Sequence, residues 1–111
     1  MTFSIDHNNP AVITVTGNVI GGAEGMQFSQ AIGELVRGGE RCVIVDLALV
    51  PVMNSSGLGM LVGASSTLRT AGGVLVVAGA NEKITGLFRM TRLDSVLPQY
   101  ATREEALAAS Q

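Results

Sequence analysis

The sequence predicts an α/β fold: a small mixed β-sheet with helices packed against it, in the order β-β-α-β-α-β-α-β-α. Three observations carry this. Cys42-Val43-Ile44-Val45-Asp46-Leu47 and Val74-Leu75-Val76-Val77-Ala78 are short, nearly continuous apolar runs, as expected of interior strands. Apolar residues at helical spacing lie before, between and after these runs. Glycine pairs, Gly38-Gly39 and Gly72-Gly73, stop each of the two longer helical segments ahead of a strand.

The elements follow in order. Residues 3–6 and 11–18 alternate (Phe3, Ile5; Val12, Ile13, Val15), and His7-Asn8-Asn9-Pro10 between them is a turn signal, so a β-hairpin opens the chain. Gly17-Asn18-Val19-Ile20-Gly21-Gly22 reads as a loop. Phe28, Ala31, Ile32, Leu35 and Val36 then mark one face of an amphipathic helix. The strand at 42–47 is closed by Asp46, read as a carboxylate capping the loop, with orientation of the Ser56 region as the alternative. Pro51 keeps the crossing at 48–54 out of helix. A helix from about Ser55 to Arg69 carries Leu58, Leu61, Val62, Ser65 and Leu68 at helical spacing. After the strand at 74–78, Asn81 caps a short helix with Ile84, Leu87 and Phe88 on its apolar face. Residues 90–94 form an irregular turn, and Val96-Leu97 a brief strand ended by Pro98. Thr102-Arg103-Glu104-Glu105 is a capping box for a terminal helix. One domain over residues 1–111 is expected, without internal repeat or linker.

Composition narrows the function. Of 111 residues, 47% are hydrophobic and 14% charged, which excludes a disordered chain. The formal charge of −2 and the lack of any basic cluster argue against a nucleic-acid partner, and 4% aromatics are too few for a base-stacking platform. The lone Cys42 sits in a strand pattern and reads as a small buried hydrophobe. No signal peptide pattern opens the chain and no apolar run reaches the ~20 residues that span a bilayer, so direct membrane insertion is not expected and a reducing cytoplasm fits best.

The stretch Met53-Asn54-Ser55-Ser56-Gly57-Leu58-Gly59-Met60-Leu61 organises the rest. Asn and Ser cap helix starts, so the Ser56 hydroxyl is expected at a helix N-terminus beside two glycines that leave it uncovered. Free amides and the positive end of the helix dipole would accommodate a phosphate there. Three enzymatic or ligand-binding readings fail. As a dinucleotide turn, Gly57-Leu58-Gly59 does not follow straight from the strand, since seven residues intervene between Leu47 and Ser55, and it lacks a ribose-binding carboxylate where Val77-Ala78-Gly79-Ala80 stand. No Lys follows these glycines as in a P-loop. A serine hydrolase would need a base, and His7, the only histidine, lies in a distant turn. No ligand cluster suggests a metal, and no cofactor is expected. Ser56 is thus a poor nucleophile and a good acceptor, with plain helix capping as the alternative on local features alone.

Asn54-Ser55-Ser56-Gly57-Leu58-Gly59 following Val43-Ile44-Val45-Asp46-Leu47 resembles the signature of STAS domains, in particular bacterial anti-sigma-factor antagonists. The resemblance extends to Thr16-Gly17-Asn18 with the Gly21-Gly22 loop, to Ala71-Gly72-Gly73-Val74-Leu75-Val76-Val77, and to Ile84, Leu87-Phe88, Leu93 and Val96. It implies that Ser56, directly before Gly-Leu-Gly, is a phosphoacceptor and that the protein is not itself an enzyme. The implied partners are an anti-sigma factor with serine kinase activity and a metal-dependent serine phosphatase. Asn18, Gly21, Gly22, Asn54, Ser55, Gly57, Leu58, Gly59 and Met60 would then form the partner-binding surface. Within it, Gly57 and Gly59 would admit the partner's backbone, and Met60 would be an exposed, adaptable contact. One departure stands out: many members carry Asp where this chain has Asn54, which keeps the capping geometry and removes a charge. The alternative function is an unphosphorylated STAS scaffold in a sensory or transporter assembly.

Overall fold

The computed structural model describes residues 1–7 and 10–110, with the side chains of all of these except Ala23 and Asp94. Five strands form one sheet in sequential order: β1 (Thr2–Asp6), β2 (Ala11–Thr16), β3 (Cys42–Leu49), β4 (Val74–Ala78) and β5 (Gln99–Tyr100). β1 and β2 make the expected antiparallel pair, with Phe3 opposite Val15 and Ile5 opposite Ile13. The two middle residues of their expected turn, Asn8 and Asn9, lie outside the described residues. The β2–β3, β3–β4 and β4–β5 pairs are parallel. Right-handed crossovers between strands added in one direction put the connecting helices on one face. Those helices are α1 (Ala23–Arg37), α2 (Ser55–Thr70) and α3 (Glu82–Met90).

Strand alternation sorts the core into two unequal parts. Val43, Val45 and Leu47 of β3 point towards Phe28, Ile32 and Leu35 of α1, Leu58, Leu61 and Leu68 of α2, and Ile84 and Phe88 of α3. Phe3 meets Phe28 edge to face, with ring centres 5.7 Å apart. On the other face Val12, Ile44, Val76 and Ala78 pack beneath Ala106 of the terminal helix α4 (Arg103–Ala109). The caps form where the side chains direct them. Asn81 accepts a hydrogen bond from the Ile84 amide at 2.9 Å, and Thr102 one from the Glu105 amide at 3.1 Å.

Four local expectations need correction. β2 ends at Thr16 rather than residue 18: a bulge lies between Thr14 and Thr16, and the chain turns out of the regular ladder at Gly17, whose φ is +87°. β3 continues past Leu47 to Leu49, because Thr16 still pairs with Leu49 after that bulge. The last strand is Gln99–Tyr100, not Val96-Leu97. Val96 is helical in conformation and ends a 3-10 turn (Leu93–Ser95), Leu97 is a fully buried plug, and the ladder starts only where the Val77 amide donates to the Pro98 carbonyl. Cys42, expected buried, is half-buried, its thiol 3.5 Å from the Ser110 hydroxyl.

Candidate functional site

α2 starts where its cap residue can stop being extended. Asn54 has φ −107° and ψ −176°; its Oδ1 accepts from the Gly57 amide at 2.9 Å and its carbonyl accepts from the Leu58 amide at 2.9 Å. The amides of Ser55 and Ser56, on the first turn, have no acceptor within the helix and face the solvent end of its dipole. Ser55 and Ser56 are both exposed there.

The loop after β2 fixes this helix start in space. It runs parallel to the β3–α2 crossing: Gly17 N donates to Leu49 O (3.2 Å), Val19 N to Val52 O (2.9 Å) and Asn54 N to Val19 O (3.2 Å), with a bridge between Val19 and Met53. Gly57 closes the contact. A Cβ at Gly57 would stand 2.1 Å from the Val19 carbonyl oxygen, so its missing side chain is used by the chain's own backbone. Gly57 therefore serves internal packing and is buried, contrary to the expectation that it admits a partner. Leu58 is likewise 3% exposed and anchors α2 to the core, which removes it from the expected partner-binding set. Gly59 is open, with nothing within 4 Å of where a Cβ would be. Asn18 and Asn54 are exposed on the outer side of the paired loops.

Gly21 and Gly22 bend over the helix start with φ +84° and +82°, conformations that suit glycine. A Cβ at Gly21 would lie 2.9 Å from Ser56 Cβ, so the loop passes directly against Ser56. Between this loop and the first turns of α1 and α2 is an open groove of about 480 Å³, lined by Gly21, Gly22, Gly25, Met26, Ser29, Gln30, Ser56 and Met60. Met60 is half-buried here, packed against the edge of the core, and not the freely exposed contact expected of it. Met26 (69% exposed), Ser29 and Gln30 were not foreseen as site residues. The available signal was Met26 itself, an apolar residue off the buried stripe of Phe28, Ile32 and Leu35.

Other candidates lie elsewhere. Asp46 is on the opposite face of β3, where Oδ1 accepts from the Ala48 amide at 3.0 Å and Oδ2 lies 3.6 Å from Arg103 Nη1. It caps its loop and does not orient Ser56. His7 is exposed beyond the end of β1, across the sheet from the helix start that carries Ser56. Among the described residues no group of three His, Cys, Asp or Glu could hold a metal ion, and no helix is long and apolar enough to cross a membrane.

The family model of the STAS domain matches residues 4–106. The chain belongs to the STAS domain family. It is 27% identical over 109 residues to BtrV of Bordetella bronchiseptica, provisionally named an anti-sigma factor antagonist, covering 98% of this chain and 94% of that one. Among solved structures it is similar to an anti-sigma factor antagonist from Mycobacterium paratuberculosis, with a TM-score of 0.83, 25% identity and coverage of 98% and 92%. It is also similar to the phosphorylated form of the Bacillus cell fate determinant SpoIIAA, with a TM-score of 0.78, 20% identity and coverage of 99% and 100%. The five-stranded mixed sheet with four helices is thus the STAS fold as found in anti-sigma factor antagonists.

Proposed function

We propose that this STAS domain is an anti-sigma-factor antagonist switched by phosphorylation of Ser56. The observation that carries the reading is the exposed Ser56 hydroxyl on the first turn of α2, held by the Asn54 cap and bordered by the Gly21–Gly22 loop. In the unmodified state this end docks onto an anti-sigma factor that is also a serine kinase, and the sigma factor is released. The domain acts in the cytoplasm as a binding switch and not as an enzyme. His7 is too distant to serve Ser56 as a base, so the kinase must supply one. In the transfer, Ser56 loses its proton, its oxygen bonds to the γ-phosphorus of ATP, and ADP leaves.

The product carries roughly −1.5 to −2 charges where the hydroxyl was neutral. The free amides of the helix end suit that anion while it is solvated. Covered by a partner, it loses its water and is crowded. Shifting occupancy from 1:99 to 99:1 takes about 5.5 kcal/mol of differential affinity, an order that desolvation of a dianion supplies. A metal-dependent phosphatase resets the switch by hydrolysis.

The test compares Ser56→Ala with Ser56→Asp in a binding titration against the cognate anti-sigma kinase. Ser56→Ala is expected to bind like the parent and Ser56→Asp at least tenfold more weakly. Ser55→Ala is expected to accept label from ATP, and Ser56→Ala to accept none. Equal affinity of the two Ser56 variants removes the switch and leaves a constitutive scaffold.

A further inference from the structure

The two segments that form the surroundings of Ser56 are poor in charge. Of the chain's seven Lys and Arg and nine Asp and Glu, only Glu24 falls within residues 10–33, and none falls within residues 47–68. Those two segments supply the β2–α1 loop, the first turns of α1, the β3–α2 crossing and most of α2. Glu24 itself is half-buried, with its carboxylate 3.5 Å from the Met1 amino group. The same end of the molecule holds most of the large exposed apolar side chains: Met26 (69%), Leu49 (59%), Ile20 (54%) and Val52 (45%). The groove of about 480 Å³ beside Ser56 is lined by glycine, methionine, serine and glutamine alone.

We infer that the partner of the unmodified domain is a protein surface without a basic cluster, which inserts a large aliphatic or aromatic side chain into the groove between the Gly21–Gly22 loop, Gly25, Met26 and Met60. The inference rests on the switch proposed for Ser56 and adds the chemistry of recognition. Charge settles the choice between an apolar and a basic partner surface. A basic surface would find no acidic cluster here to pair with, and after modification it would bind the phosphate through charge-assisted hydrogen bonds. Phosphorylation would then tighten the complex, the reverse of the proposed switch. An uncharged surface gains from covering Ile20, Met26 and Val52 and loses only when the dianion appears. Gly25 leaves the groove open: a Cβ there would lie 3.6 Å from Met60 Sδ, an ordinary contact, with room beyond it.

The experiment titrates the unmodified domain and its Ser56→Asp variant with the anti-sigma kinase at about 50 and about 500 mM NaCl, a range over which exposed charge pairs are strongly screened. Two groove variants are added: Gly25→Leu, which fills the cavity, and Met26→Lys, at an exposed position that cannot disturb the core. The expected result is an affinity of the unmodified domain that changes less than about threefold with salt, and losses of about tenfold or more in each groove variant. A fall of about tenfold or more with salt, with both groove variants binding like the parent, overturns the inference. That outcome leaves the switch standing as long as Ser56→Asp still weakens binding. Loss of the Ser56 dependence, by contrast, removes the switch itself.

Discussion

At the scale of the residue, two glycines three positions or fewer from Ser56 have opposite roles. Gly57 has the Val19 carbonyl oxygen 2.1 Å from its virtual Cβ and the Val19 Cγ1 at 2.8 Å, so a methyl group there forces backbone apart. Gly57→Ala is expected to cost about 1–3 kcal/mol by overpacking. Gly59 faces open space on the same helix, and Gly59→Ala is expected to stabilise by up to about 1 kcal/mol, because alanine loses less backbone entropy in a helix. Urea unfolding of the two variants checks the pair, and a shift of both midpoints in one direction would contradict the packing described. The sequence alone presents the two glycines as equivalents flanking Leu58. Only the non-local approach of Val19 separates them, and no local pattern encodes that approach.

At the scale of the element, α2 owes its position to its cap as much as to its apolar stripe. Asn54→Ala removes the acceptor for the Gly57 amide and is expected to cost about 1 kcal/mol. Asn54→Asp keeps the acceptor and adds a negative charge at the positive end of the dipole, for a gain of about 0.3–1 kcal/mol at neutral pH. Thermal unfolding at pH 7 measures both; a stabilised Asn54→Ala would show that the cap is not holding the helix start. Elements of this kind were the legible part of the chain. Asn54, Asn81 and Thr102 all cap the helices that their side chains announce. The last strand was misplaced because Val96 and Leu97 are apolar for a different reason: Leu97 plugs the core from a turn, and burial by itself does not distinguish a plug from a strand.

At the scale of the whole molecule, the sheet is covered by three helices on one face and by α4 alone on the other. Ala106 is fully buried over Val12, Ile44 and Val76, so Ala106→Asp places an unpaired charge on that small second core. A loss of roughly 2–4 kcal/mol is expected, with hydrogen exchange in α4 rising before that of the strands. Exchange of α4 no faster than in the parent would show that the helix is not an independently docked lid. The order of elements along the chain and the α/β class could be read from periodicity, because most strands and helices state their own repeat. The groove could not, since it exists only where the β2–α1 loop, α1 and α2 meet. The charge-free segments were in plain view in the sequence, yet which surface they compose depends on the crossovers.

The fastening of Ser56 has a consequence for timing. Asn54, Val19 and Gly57 hold Ser56 on a helix start built into the sheet, so the signal proposed here needs no moving part. In the switch proposed, what is remembered is a phosphoester bond and not a conformation. Its lifetime is therefore set by the enzymes that write and erase it, and the domain, left alone, has no relaxation by which to forget.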